Sequence, residues 1–232
     1  MDLMNQIIIN TMPRSGSAWL QFLLARAIAP NRRINTSAVP DNNDFVIRMS
    51  APAVLYAKFD DFVQVNIVRD PFEIIPSVIT KTYGGIGDTV SNGIAMPSEM
   101  PKFDMDGHIK AQISNYNSYA ESAIINQKNL KIFTFDQATK DIEYVTKELL
   151  GEDKKLYNDY IPNYITWAKS RIRTHELSEP GYNNALPEKK PDIYYEIKDR
   201  LKSHDLERCN TLYEILKEIA SSSADALGSS NG

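Results

Sequence analysis

At 232 residues the chain is long enough to bury a full core, as one domain or a tight pair. Its 26 Lys and Arg against 30 Asp and Glu leave a formal charge of −4, which argues against bulk attraction to nucleic acid. A composition that is 42% hydrophobic and 24% charged excludes collagen-like and wholly disordered chains, and the single cysteine, Cys209, excludes an intrachain disulfide framework.

The opening MDLMNQIIIN carries an acid where a secretory leader carries basic residues, and its apolar run stops after Ile9. The most apolar stretch, AWLQFLLARAIA, is interrupted by Gln21 and Arg26 and falls short of the ~20 residues a membrane helix needs. A cytoplasmic protein without a membrane span is expected. Ile7-Ile8-Ile9 is a short, continuously apolar, β-branched run that suits a buried strand of a parallel sheet. Beyond Pro13 and Gly16, residues Trp19, Leu20, Phe22, Leu23, Leu24 and Ile28 trace a broad apolar helix face that Pro30 ends. The same order recurs where FVQVNIV meets Arg69-Asp70-Pro71, with Asp70 placed to cap and Pro71 to take the first helical position. Within that second helix Pro76 removes a backbone donor, which predicts a kink or a shortening just before Ser77.

From Tyr83 to Asp104 the glycines and prolines predict a long loop or lid, of the kind that lines a binding site or simply extends from the surface. A helical pattern runs from His108 to about Asn126. LKIFTF then reads as a third strand, followed by a helix from roughly Thr139 to Leu150 with Gly151 as its stop. Two more helices are expected from Pro191 to Lys202 and from about Leu206 to Ala220, before a polar tail, SSSADALGSSNG, that should be disordered. Repeated strand-then-helix units predict an α/β fold, a central parallel sheet flanked by helices, in one domain over residues 1–220 with the tail at 221–232.

Two segments carry candidate chemistry. Asn10-Thr11-Met12-Pro13-Arg14-Ser15-Gly16-Ser17-Ala18-Trp19 joins a buried strand to a helix start, where several backbone N–H groups have no intrahelical partner and attract anions. Gly16 permits close backbone approach, Ser15 and Ser17 add hydroxyls, and Arg14 adds a fork suited to phosphate or sulfonate. A Walker A loop is not formed, because its Gly-Lys-Ser/Thr ending is missing. An ordinary strand-to-helix turn with a surface arginine fits the same residues. Arg69 stands at a second strand end with Ser77 on the helix that follows, and ligands of open α/β sheets collect beyond the carboxyl ends of strands. Both segments should therefore face one crevice, suited to one ligand with two anionic ends.

Taken together, these segments resemble the sulfotransferase family that uses 3′-phosphoadenosine 5′-phosphosulfate (PAPS). PRSGSAW is similar to that family's 5′-phosphosulfate loop, and NIVRDPFEIIPS to its 3′-phosphate segment, an Arg-Asn/Asp-Pro run followed by Ser. LKIFTFDQATKDIEYVTKELLG is similar to its strand, acidic position and helix ending Leu-Gly, so the resemblance spans roughly Ile7 to Leu150. It implies a P-loop-like three-layer fold, PAPS as sulfuryl donor, the 3′,5′-bisphosphate PAP as product, and a small-molecule or carbohydrate acceptor. Residue by residue it implies Arg14 at the sulfonate and bridging oxygen, Ser15, Gly16 and Ser17 at the 5′-phosphate, and Arg69 and Ser77 at the 3′-phosphate. Ala18 takes the place of the family's second threonine. Trp19 is implied to stack on adenine, a contact of about 1–3 kcal/mol, although core packing also suits a Trp early in a helix.

Sulfuryl transfer calls for in-line geometry, cations over the developing charge and a base for the acceptor proton. Arg14 and Arg48 are expected to supply the charge, with no metal required. In Arg48-Met49-Ser50-Ala51-Pro52, however, Ser50 stands where many members of the family have their catalytic His. The base is therefore sought elsewhere: His108 is favoured, imidazole being suited to proton transfer near neutral pH, with Asp41, Asp44 and His175 behind it. The family's closing Arg-Lys-Gly segment is not found; Lys169-Ser170-Arg171-Ile172-Arg173 is the nearest equivalent, with Arg173 assigned to the nucleotide. Two other functions fit parts of this pattern, a P-loop-type small-molecule kinase using the same cradle and a catalytically silent adenine-nucleotide-binding protein.

Overall fold

Three consecutive isoleucines leave a strand no side to turn toward water, and Ile7, Ile8 and Ile9 are all buried in β1 (Ile7–Asn10). The computed structural model describes residues 7–17, 20–21, 24, 46–49, 63–80, 104–150 and 192–228. Its other strands are β2 (Val46–Met49), β3 (Val63–Val68) and β4 (Leu130–Thr134), forming a four-stranded sheet in the order β2-β1-β3-β4. All three neighbouring pairs are parallel, as the repeated strand-then-helix units predict. After β1 the chain adds a strand on one side and then returns to the other, so the order reverses between β1 and β3. Connections leaving such a pair diverge to opposite sides, opening a crevice beyond the strands' carboxyl ends.

Strand periodicity divides the core in two. Val65 and Ile67 of β3 join Ile7, Ile9 and Phe133 on one face, packed against Leu20 and Leu24 of α1, which opens at Ser17. Ala138 of α4 (Phe135–Lys140) and Val145 and Leu149 of α5 (Ile142–Leu150) complete that side. Val68, Leu130 and Ile132 face the other way. They meet α2 (71–80), α3 (Met105–Ile125), α6 (Asp192–Leu201) and α7 (Glu207–Gly228). Helices thus cover both faces of the sheet. Cys209 belongs to this second core, its thiol donating to Asn117 Oδ1 at 3.1 Å while burial pushes its pKa up to about 11. Among the described residues no helix is long and apolar enough to cross a membrane.

β2 has no counterpart among the strands expected from the sequence, and three expected elements differ from their prediction. α4 starts at Phe135 rather than near Thr139, directly behind β4. There the Gln137 N–H donates to the Thr134 hydroxyl at 3.2 Å, and the Thr134 N–H donates to the Gln137 side chain at 2.7 Å. Removing this reciprocal cap with Thr134→Ala should cost about 1 kcal/mol, read from the urea midpoint at unchanged m-value. Secondly, α2 runs without interruption through Pro76 to Thr80, so the expected shortening before Ser77 does not occur. Proline removes one donor, whereas Asp70 fastens the first turn by accepting from Phe72, Glu73 and Ile74, and Ile74, Ile75 and Ile79 are buried. Thirdly, α7 reaches Gly228, well into the tail expected to be disordered. The Ser221 and Ser222 hydroxyls donate to the carbonyls of Lys217 and Glu218, each at 2.9 Å, so the polar side chains are satisfied by the helix itself. The expected lid between Tyr83 and Asp104 lies outside the described residues apart from Asp104, the N-cap of α3.

Candidate anion-binding site

The loop leaving β1 turns sharply at two left-handed residues, Arg14 at φ 71° and Gly16 at φ 90°. Glycine is at home there, but a non-glycine residue in this region stores about 1–3 kcal/mol unless its surroundings hold it. Those surroundings are visible. Arg69, at the end of β3, donates from Nη1 to the Arg14 carbonyl at 2.9 Å. Thr11 donates its hydroxyl to the Ile67 carbonyl at 2.7 Å, and Ser15 donates to the Met12 carbonyl at 2.6 Å while its oxygen lies 2.9 Å from that of Thr11. The loop is thereby stapled to β3, and α1 begins with the Leu20 N–H donating to the Gly16 carbonyl at 3.0 Å. A helix start of this kind leaves its first backbone N–H groups without intrahelical acceptors.

Gly16 is also closely approached by side chains. A Cβ built on it would stand 3.3 Å from the Phe135 ring and 3.5 Å from Thr139 Cγ2. The same ring supports the Arg69 guanidinium, whose Cζ sits 4.1 Å from the ring centroid. Tyr116 of α3 donates its hydroxyl to the Arg69 carbonyl at 3.0 Å, and burial pushes that phenol's pKa upward. Between this tyrosine, Thr11, Asn66 and Arg69 only a cavity of about 20 Å³ remains, room for about one water, so Arg69 rests on packed structure.

Arg14 reaches across to the second segment, its Nε donating to Ser77 Oγ at 3.4 Å. Ser77 is buried in α2, and Arg69 is buried beside it. Burial, and then the neighbouring charge of Arg69, lower the pKa of Arg14. Burial lowers that of Arg69 as well, with Glu73, Tyr194, Asp70 and Asp136 acting in the opposite direction. Both guanidinium groups nevertheless remain cations. Two cations partly withdrawn from water at one sheet edge repel each other, and an anion between them relieves both.

The expected residues divide accordingly. Arg14, Gly16, Arg69 and Ser77 come together at the β1/β3 edge. Ser15 does so through its backbone, because its hydroxyl is engaged inside the loop and its side chain is buried. Ser17 is buried at the start of α1. Arg48 lies in β2 in register with Ile9, on the strand next to the loop's origin. His108 is exposed in the first turn of α3, about two helical turns before Tyr116. Ala18, Trp19, Ser50, Asp41, Asp44, His175 and Arg173 lie outside the described residues.

Sequence reasoning included Thr11 in the first segment without a role and missed Glu73, Tyr116 and Phe135. Glu73 was legible as an acid in the first turn of the helix that follows Arg69. Phe135 was legible as the last residue of LKIFTF, at the same sheet edge as the other two turns, although it opens α4 rather than closing the strand. Tyr116 and the role of Thr11 carried no local signal. No family model matches the chain and no curated protein matches it, so a functional reading rests on these residues themselves.

Proposed function

We propose that this chain is a PAPS-dependent sulfotransferase with a P-loop-like three-layer core, acting in the cytoplasm on a hydroxyl or amine of a small-molecule or carbohydrate acceptor. One observation carries the reading. Arg14 donates to Ser77 at 3.4 Å and Arg69 donates to the Arg14 carbonyl at 2.9 Å, so the segments resembling the 5′-phosphosulfate and 3′-phosphate motifs meet at one sheet edge. The donor set suits two anionic groups: planar forks from two arginines, a buried hydroxyl and a helix N-terminus. PAPS, when bound, supplies an activated sulfuryl group and a phosphate leaving group.

On this reading Arg69 and Ser77 hold the 3′-phosphate, and Arg14 stands over the sulfonate and bridging oxygen. Arginine keeps its proton, so Arg14 stabilises developing charge electrostatically rather than as an acid. Gly16 keeps the loop backbone open to the 5′-phosphate, with Ser15 and Ser17 beside it. Trp19 would stack on adenine as the resemblance implies, Ala18 lines the 5′-phosphate loop without the family's hydroxyl, and Arg173 and Arg48 remain candidate cations for the nucleotide and the sulfonate. His108, exposed at the start of α3, remains the candidate base for the acceptor proton.

Calorimetry with adenosine 3′,5′-bisphosphate and with AMP tests the reading directly. The bisphosphate should bind at least tenfold more tightly, a difference of about 1.4 kcal/mol. Equal affinities would remove the 3′-phosphate site. Incubation with PAPS and a broad acceptor panel then reads transfer. Bisphosphate binding without transfer would assign a silent nucleotide-binding protein, and Mg²⁺-dependent ATP turnover without a response to PAPS would assign a kinase.

A further inference from the structure

Arg69 directly precedes α2 and Glu73 lies in its first turn, four residues on, so the guanidinium and the carboxylate are neighbours of opposite charge. They do not close into a hydrogen-bonded pair. Arg69 Nη2 remains 3.9 Å from Glu73 Oε2, beyond hydrogen-bond reach. The carboxylate is instead occupied from the opposite side by α6. Tyr194 donates its hydroxyl to Glu73 Oε2 at 2.6 Å, and Lys198, one turn further along α6, donates from Nζ to Oε1. Each carboxylate oxygen thus holds one donor from a helix more than a hundred residues away in sequence.

We propose that Lys198 and Tyr194 are positioning residues that tether the Glu73 carboxylate away from Arg69, leaving the Arg69 guanidinium available to a phosphate group. The assignment deepens the reading of this edge as a nucleotide-anion site and rests on it. A carboxylate docked on Arg69 is an internal competitor for any phosphate, since both use the same planar fork. The tether removes that competitor while retaining its charge nearby. Burial acts to raise the Glu73 pKa, but the hydrogen bonds from Lys198 and Tyr194 and the charges of Lys198 and Arg69 outweigh it, so the group stays a carboxylate. The other acids facing Arg69 are already engaged, Asp70 by the Phe72 N–H at 2.8 Å and Asp136 by Lys140 at 2.9 Å. Glu73 is therefore the acid whose position α6 controls.

The full chain carrying K198M, Y194F, E73Q or K198M/E73Q tests the tether, with inorganic phosphate and adenosine 3′,5′-bisphosphate as calorimetric probes. K198M should weaken both by about tenfold and Y194F by about threefold, because the released carboxylate closes on Arg69. E73Q should bind at least as tightly as the unaltered chain, and adding it to K198M should restore the lost affinity. A merely structural Lys198 would lower the melting temperature without such rescue. NMR of the Arg69 guanidinium hydrogens gives a readout that needs no ligand: rotation should slow in K198M and recover in K198M/E73Q. Unchanged affinity and unchanged rotation in K198M would overturn the tether, as would failure of E73Q to rescue. Phosphate binding without any preference for the bisphosphate would instead defeat the nucleotide reading, with the tether still decided by the phosphate series and the guanidinium signals.

Discussion

Replacing Gly16 with alanine should destabilise the protein and weaken anion binding, although glycine offers a ligand no side chain. At φ 90° an L-residue is strained, and the new methyl would press on the Phe135 ring from 3.3 Å. The ring has little room to yield, because Arg69 lies over its face at 4.1 Å. Backbone strain of about 1–3 kcal/mol and a crowded contact together should lower stability by roughly 2–3 kcal/mol, a fall of about 5–10 °C in Tm. Displacing Phe135 also shifts Arg69, so affinity for adenosine 3′,5′-bisphosphate should fall by roughly tenfold or more. Differential scanning calorimetry and titration of the same samples check both effects. A variant that melts and binds like the unaltered chain would show that the loop does not depend on this close approach.

Arg69→Ala should have the largest effect on ligand discrimination. The guanidinium stacks on Phe135, and its bond to the Arg14 carbonyl holds a strained residue in place. A hydrogen bond from a charged donor contributes about 1.5–3 kcal/mol, so the substitution should loosen the β1 loop as well as remove a cation. The preference for the bisphosphate over AMP should vanish, while AMP binding falls by a smaller factor that reflects the loosened loop. Arg69→Lys separates these two roles. Lysine keeps the charge but loses the planar fork, so it cannot serve the Arg14 carbonyl and a phosphate in the same way. It should recover part of the binding lost in the alanine variant without regaining the full preference. A preference for the bisphosphate that survives both substitutions would place the 3′-phosphate elsewhere.

Much of the architecture was readable locally. Unbroken β-branched runs such as Ile7-Ile8-Ile9 favour buried strands, and turns such as Arg69-Asp70-Pro71 announce the helices that follow them. The start of α4 was misplaced because a four-residue capping box outweighed the longer apolar pattern used to locate that helix. α7 was cut short because polar composition is a poor guide where serine hydroxyls can return to the helix's own carbonyls. Pro76 was given too much weight, since one missing donor is a local loss against three buried isoleucines.

From the sequence alone came the parallel α/β class, the two strand-to-helix turns and the arginines they carry, because each follows from side-chain type within a few residues. Only the tertiary structure could decide that the strand order reverses between β1 and β3 and that Arg14 and Arg69 consequently meet there. The same holds for Phe135 standing behind Gly16 and for α6 occupying Glu73. These contacts join residues far apart in the chain, and their geometry is set by how the packed layers come to rest rather than by any local preference of the residues involved.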